Sequence, residues 1–164
     1  MRVSPGRLPR PPPRLDRCTG ERGKSKSSGR SLHLRSSRFH RVESAFVMQG
    51  GDTVRGDGSG AETIYGMKFG KDEAAGLRAK HEPIGTLAMA NAGKPNSSSG
   101  QWYFTIADAD AEGARKLRKL DGKHVVFGRV VEGTDVLRRV AAAAATPSGA
   151  PKLGVWVIDC GQED

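Results

Sequence analysis

Most residues of this 164-residue chain that could do chemistry fall in four short blocks, at 39–42, 47–52, 89–93 and 120–128. In the last, Asp121-Gly122 turns a loop just ahead of a β-branched run, which fixes His124 at the mouth of a strand. Arg41 offers a guanidinium, whose planar fork sets the direction of its donors. Gln49, Asn91 and Gln101 add carboxamides, and Phe46 and Tyr103 add rings. Each has a plainer reading too. Arg41 would be a surface strand arginine, Phe46 a core ring, Asn91 a turn residue and His124 a solvated loop histidine. Gly58, in Asp57-Gly58-Ser59-Gly60, would be ordinary turn chemistry.

The elements that must position these groups are mostly short strands. Val, Ile, Thr and aromatics bounded by Gly or Pro mark strand candidates at 41–48, 63–65, 86–90, 102–106, 125–131 and 155–160. One helix is expected over 134–145, where Val136, Leu137, Val140, Ala141 and Ala144 share a face and Gly133 or Thr134 stands at the cap. A weaker one covers 109–117. Many short strands with one late helix predict a mainly β fold, an antiparallel barrel closed or partly closed, capped by that helix. A chain of this length is expected to form one domain.

Charge is concentrated at the front. Residues 1–41 hold 12 Lys/Arg against Asp16 and Glu21, whereas residues 42–164 hold 15 against 16 acids. The domain proper is therefore close to neutral, behind a basic Arg/Pro-rich leader (1–17) expected to be disordered. That leader could serve as an anion- or RNA-binding arm, but residues 1–38 contain no Phe, Tyr or Trp to stack on bases, which argues against nucleic acid as a partner. No apolar run reaches the roughly 20 residues of a membrane span, and the N-terminus has no apolar core of a secretory signal. The expectation is a cytoplasmic protein, with organelle targeting through the leader as the alternative. Cys18 and Cys160 are too few for a disulfide framework; they are two reduced thiols or a reversible redox pair.

The order and spacing of the four blocks, with the loop from Cys18 to His33, resemble the cyclophilin peptidyl-prolyl isomerases, in the longer-loop form common in plants. The resemblance runs from Cys18 to Gly161, so the domain is placed at 18–164. It implies rotation of Xaa–Pro peptide bonds in proline-containing segments of client proteins, assisting folding, with no cofactor and no metal. Arg41 then matches the family's catalytic arginine. Phe46, Val47, Tyr103 and Leu120 match its proline pocket. Gln49, Gly58, Ala90, Asn91, Gln101 and His124 match the groups that hold the substrate backbone.

The departures matter as much. Val47 stands where the family has methionine, and Tyr103 where it has phenylalanine. Glu43-Ser44-Ala45 replaces an apolar-Pro-Gly turn. An insertion lies around 108–117. Lys119 replaces a tryptophan that contributes to cyclosporin binding, so that affinity is expected to be weakened. Two opening strands and most of a helix have no counterpart before Cys18, which predicts a barrel incomplete on that side. The runner-up reading is a module that captures proline peptides with little or no turnover.

Overall fold

The structure, a computed structural model, describes residues 1–5, 23–25, 28–60, 62–66 and 69–161. Among these, six strands form one sheet: β1 (Arg2–Pro5), β2 (Arg41–Val42), β3 (Val47–Gly50), β4 (Thr86–Met89), β5 (Trp102–Thr105) and β6 (Val126–Glu132). Three helices accompany it: α1 (Ala74–Arg78), α2 (Ala111–Arg118) and α3 (Thr134–Ala144). The spatial order is β1-β6-β4-β5-β3-β2, and every pairing is antiparallel.

Alternation along the strands sorts the sheet into two faces. Trp102 and Phe104 of β5, Met48 of β3, Leu87 and Met89 of β4, and Phe127 of β6 join the main core. Phe39 lies edge-on to Trp102, ring centroids 5.3 Å apart, and Trp102 edge-on to Phe104 at 5.2 Å. Leu137, Val140 and Ala141 of α3 cover this face, with Val155 and Val157 packed beside them. On the opposite face Val47, Ala88, Ala90 and Tyr103 make a second apolar cluster, against which Phe46, Leu120 and Val126 pack. This second cluster carries the candidate site.

The mainly β, antiparallel expectation holds, but the sheet is open among the described residues. β1 and β2 are its edges. Three sequence expectations need correction. First, the leader expected to be disordered contributes β1, whose Arg2–Pro5 pair with β6; the rest of 6–22, Cys18 included, lies outside the described residues. Val3 packs against the main core, which gives this short segment a reason to stay on the sheet. Second, 155–160 is no strand. Its alternation survives, with Val155 and Val157 on the core and Trp156 and Ile158 exposed, but its backbone pairs with the 36–39 loop through one bridge, Arg38 to Trp156, and Cys160 Sγ lies 3.9 Å from His33 Nδ1. Third, 63–65 is reduced to one bridge, between Thr63 and Gly66.

The expected strand 41–48 is broken into β2 and β3 by a tight turn. Phe46 donates its N–H to the Glu43 carbonyl at 3.2 Å, and Ala45 sits at φ 52°, in the left-handed region. A residue with a Cβ is costly there. Ala45→Gly is therefore expected to stabilise the fold by about 0.5–1 kcal/mol, read as a rise in the urea midpoint. An unchanged or lower midpoint would show that the turn carries no strain. The insertion at 108–117 becomes α2, started by Asp110, whose carboxylate accepts the Gly113 N–H at 2.7 Å.

Candidate functional site

β3, β4 and β5 lie side by side, so residues distant in sequence meet on the second face. Gln49 stands opposite Tyr103 in the β3–β5 pairing and opposite Arg41 in the β2–β3 pairing. Ala88 stands opposite Tyr103 across β4 and β5, and Ala90 just beyond donates its N–H to the Gln101 carbonyl at 3.1 Å. The apolar residues singled out from the sequence, Phe46, Val47, Ala90, Tyr103 and Leu120, thus belong to one cluster. Val47 and Tyr103 are buried in it, whereas Phe46 and Leu120 stay half-buried at its rim.

The polar residues form a rim of two hydrogen-bonded groups. Gln49 Nε2 donates to Gln101 Oε1 at 2.8 Å, and Gln101 Nε2 donates to the carbonyls of Gly58 and Gly60 at 2.7 and 2.5 Å. Gly58 is at φ 94°, and a Cβ there would lie 2.7 Å from the His40 ring, so no other residue fits without a shift. Asp52 holds the whole turn: Oδ1 accepts the N–H groups of Val54 and Arg55, Oδ2 those of Gly58 and Gly60. Burial pushes the Asp52 carboxyl up, but these backbone donors outweigh it and keep it below the ordinary value. At the far side, Asn91 Nδ2 donates to the Lys123 carbonyl at 2.8 Å, tying the 89–93 block to the histidine loop. His124 Nδ1 donates to the Met89 carbonyl at 3.0 Å, which leaves Nε2 as an acceptor, and its ring meets Tyr103 edge-on at 5.5 Å.

Two arrangements were not legible from the sequence. Arg41 lies over the Phe46 ring, 5.9 Å from guanidinium carbon to centroid, but its Nη2 is paired with the Glu43 carboxylate. Glu43 was visible only as a departure from the family pattern, not as a partner. Such a partly exposed pair is worth about 0.2–1 kcal/mol. Glu43→Gln is expected to free the guanidinium and raise kcat/KM by up to about five-fold. A fall on the same substitution would instead make Glu43 a group that positions Arg41.

The second is a buried relay beneath the pocket. His81, whose side chain is fully buried, places Nδ1 2.9 Å from Asp121 Oδ1 and Nε2 2.8 Å from the Tyr103 hydroxyl. The same Asp121 oxygen accepts the His81 backbone N–H. A carboxylate can only accept, so Nδ1 carries the proton and Nε2 accepts the Tyr103 O–H. The tyrosine hydroxyl is thereby held away from free rotation. Burial pushes the phenol's pKa up, and lowers those of His81, His124 and His40 below 6.5.

These histidines carry a pH dependence with a definite sign. In each the folded pKa is depressed, so below the unfolded value of about 6.5 the unfolded chain binds more protons than the native one. Their contribution is present above that pH and is lost as pH falls below it. The urea midpoint is expected to be flat from about pH 8 to 7 and to drop by about pH 5.5; a midpoint flat throughout contradicts the assignment. The carboxylates Asp52 and Asp121, also depressed, lose their contribution only as pH falls below 3.8, outside this window.

An apolar pocket rimmed by amide donors and acceptors, with a guanidinium at its edge, is built to grip a peptide and act on it through hydrogen bonds and charge. The family that fits this site is also the one the sequence matches: the family model described as Cyclophilin type peptidyl-prolyl cis-trans isomerase/CLD covers residues 19–162. The match takes in most of the chain, which therefore belongs to the cyclophilin-type peptidyl-prolyl cis-trans isomerases and is an isomerase of proline-containing peptides.

Proposed function

We propose that rotation of the Xaa–Pro bond takes place between Arg41 and the Phe46–Tyr103 pocket, and that this chain uses it to assist the folding of client proteins. The barrier to rotation is about 18–20 kcal/mol because the planar amide is resonance-stabilised. Twisting the bond pyramidalises the prolyl nitrogen and returns its lone pair. A guanidinium that donates to that lone pair favours the twisted state over the planar one, which is catalysis by differential binding. No covalent bond forms or breaks, so the site needs only grip and direction. Phe46, Val47, Ala90, Tyr103 and Leu120 would hold the proline ring. Gln49, Gln101, Asn91, His124 and the Gly58 turn would hold the flanking peptide groups.

The single observation that carries this reading is the convergence of Phe46, Val47, Ala90, Tyr103 and Leu120 on one apolar cluster, rimmed by the Gln49–Gln101–Gly58 amides on one side and by Asn91 and His124 on the other. The paired state of Arg41 is the observation that favours the runner-up, a peptide-binding module of low turnover. Refolding of a protein limited by proline isomerisation separates the two. A faster slow phase at substoichiometric chain supports the enzyme in folding; an unchanged one removes the folding role. Weak cyclosporin binding, from Lys119 at the exposed C-terminal end of α2, and a cytoplasmic setting complete the proposal.

A further inference from the structure

Away from the proline pocket, the 30–38 loop and the 52–56 turn line an open pocket of about 260 Å³, with Arg30, Arg35, Arg38 and Arg55 exposed at its rim. Arg30, His33, Arg35, Arg38 and Arg55 line it. Among the described residues, none of the four arginines is in an ion pair; the Arg55 guanidinium donates to the Ser59 hydroxyl, at 3.3 Å. One carboxylate, Asp52, also lines the cavity. It is 3% exposed, and both its oxygens are occupied by backbone N–H groups. Four guanidinium charges thus face a single acid already committed elsewhere.

Two further groups point to an anion. His33 Nδ1 accepts the Arg35 N–H at 2.8 Å, so the ring proton is on Nε2, a second kind of donor at the cavity. Ser37, 9% exposed, lines the same cavity, and its buried Oγ has no hydrogen-bond partner. A buried hydroxyl left unpaired is uncommon unless something else completes it. Guanidinium forks match the paired oxygens of a tetrahedral oxyanion better than ammonium groups do.

We propose that this cavity binds a phosphate group, held by Arg30, Arg35, Arg38 and Arg55 and, once its side chain turns toward the cavity, by the Ser37 hydroxyl. The volume lies just under the roughly 300 Å³ at which pockets for drug-sized ligands begin, so it suits inorganic phosphate or the phosphate of a small monoester. The site is separate from the proline pocket, since Arg41, Phe46, Tyr103 and His124 do not line it.

The test is amide-shift titration of the full chain with inorganic phosphate and with methyl phosphate, at constant ionic strength. The expected result is saturable, one-site shifts confined to 30–38 and 52–56, with affinity at least ten-fold weaker in Arg35→Ala/Arg38→Ala. Arg138→Ala/Arg139→Ala, changing exposed arginines of α3, should bind as the parent does. Ser37→Ala should weaken binding several-fold without lowering the melting temperature of the phosphate-free chain, because its Oγ loses no partner. Tighter inorganic phosphate assigns the source to the free anion, and tighter methyl phosphate to a monoester; either supports the site. Diffuse, unsaturable shifts overturn it, as does equal loss from the Arg138/Arg139 control.

Discussion

Arg41→Ala is expected to lower kcat/KM for a proline peptide by about 10²–10³-fold, the effect of removing one preorganised donor from a charge-stabilising site. The loss should fall on kcat, because the proline ring would still find Phe46, Val47, Tyr103 and Leu120 in place. Arg41→Lys should recover little. Its ammonium is a point donor on a flexible stem and cannot reproduce the direction of the fork. The stability cost should be small, since the Arg41 side chain is 42% exposed and its pairing with Glu43 is a surface contact. A rise in KM with kcat unchanged would mean that Arg41 binds substrate without acting on the bond.

The largest effect on stability is expected from Phe104→Ala, at about 3–5 kcal/mol. Phe104 is 1% exposed, stands between Met48 and Leu87 in the sheet, and touches Phe39 and Trp102. Truncation leaves a cavity where three strands meet, and backbone pairing prevents those strands from closing over it. Against a total of about 5–15 kcal/mol for a domain, the loss should lower the melting temperature by roughly 6–20 °C. Ile158→Ala is the contrast: at 79% exposed it should change stability by no more than about 0.5 kcal/mol. Equal shifts for the two would show that the main core does not lie on this face.

Short β-favouring runs bounded by Gly or Pro made most of this architecture legible. Residues 102–106 read as a strand from their aromatics, Thr and Ile, and the helix at 134–144 announced itself by its apolar stripe. Most of the site residues were legible because they sit in four short blocks whose order is informative; Phe46, Gly58, Gln101 and Tyr103 lie between the blocks and were placed by the resemblance. What stayed hidden depended on contacts between distant positions or on conformations that composition does not encode. His81 and Tyr103 are 22 residues apart and His81 and Asp121 are 40, so the relay exists only once β4 and β5 are paired. Asp121 had a local reading, as a turn residue, that concealed its second partner.

Residues 41–48 read as one strand, although Glu43-Ser44-Ala45 stands at a family turn, because its left-handed residue is Ala45, not the glycine that usually marks such a turn. β1 was missed for a similar reason. Arg2 to Pro5 is short and polar, and only Val3 and the open edge of β6 give it a place. The basic cavity was hidden by counting charge per segment: Arg55 belongs to the near-neutral part of the chain, yet it completes a site with arginines from the first loop.

The central claim is that this groove turns proline bonds through Arg41. Magnetisation exchange between the cis and trans forms of an Xaa–Pro peptide, at substoichiometric chain, tests it most directly. Exchange is expected to accelerate with the parent chain, to accelerate further with Glu43→Gln, and to fall nearly to the uncatalysed rate with Arg41→Ala while the peptide still binds. Exchange that is the same with the parent chain, with Arg41→Ala and with no protein would contradict the account, and would leave a groove that holds proline without turning it.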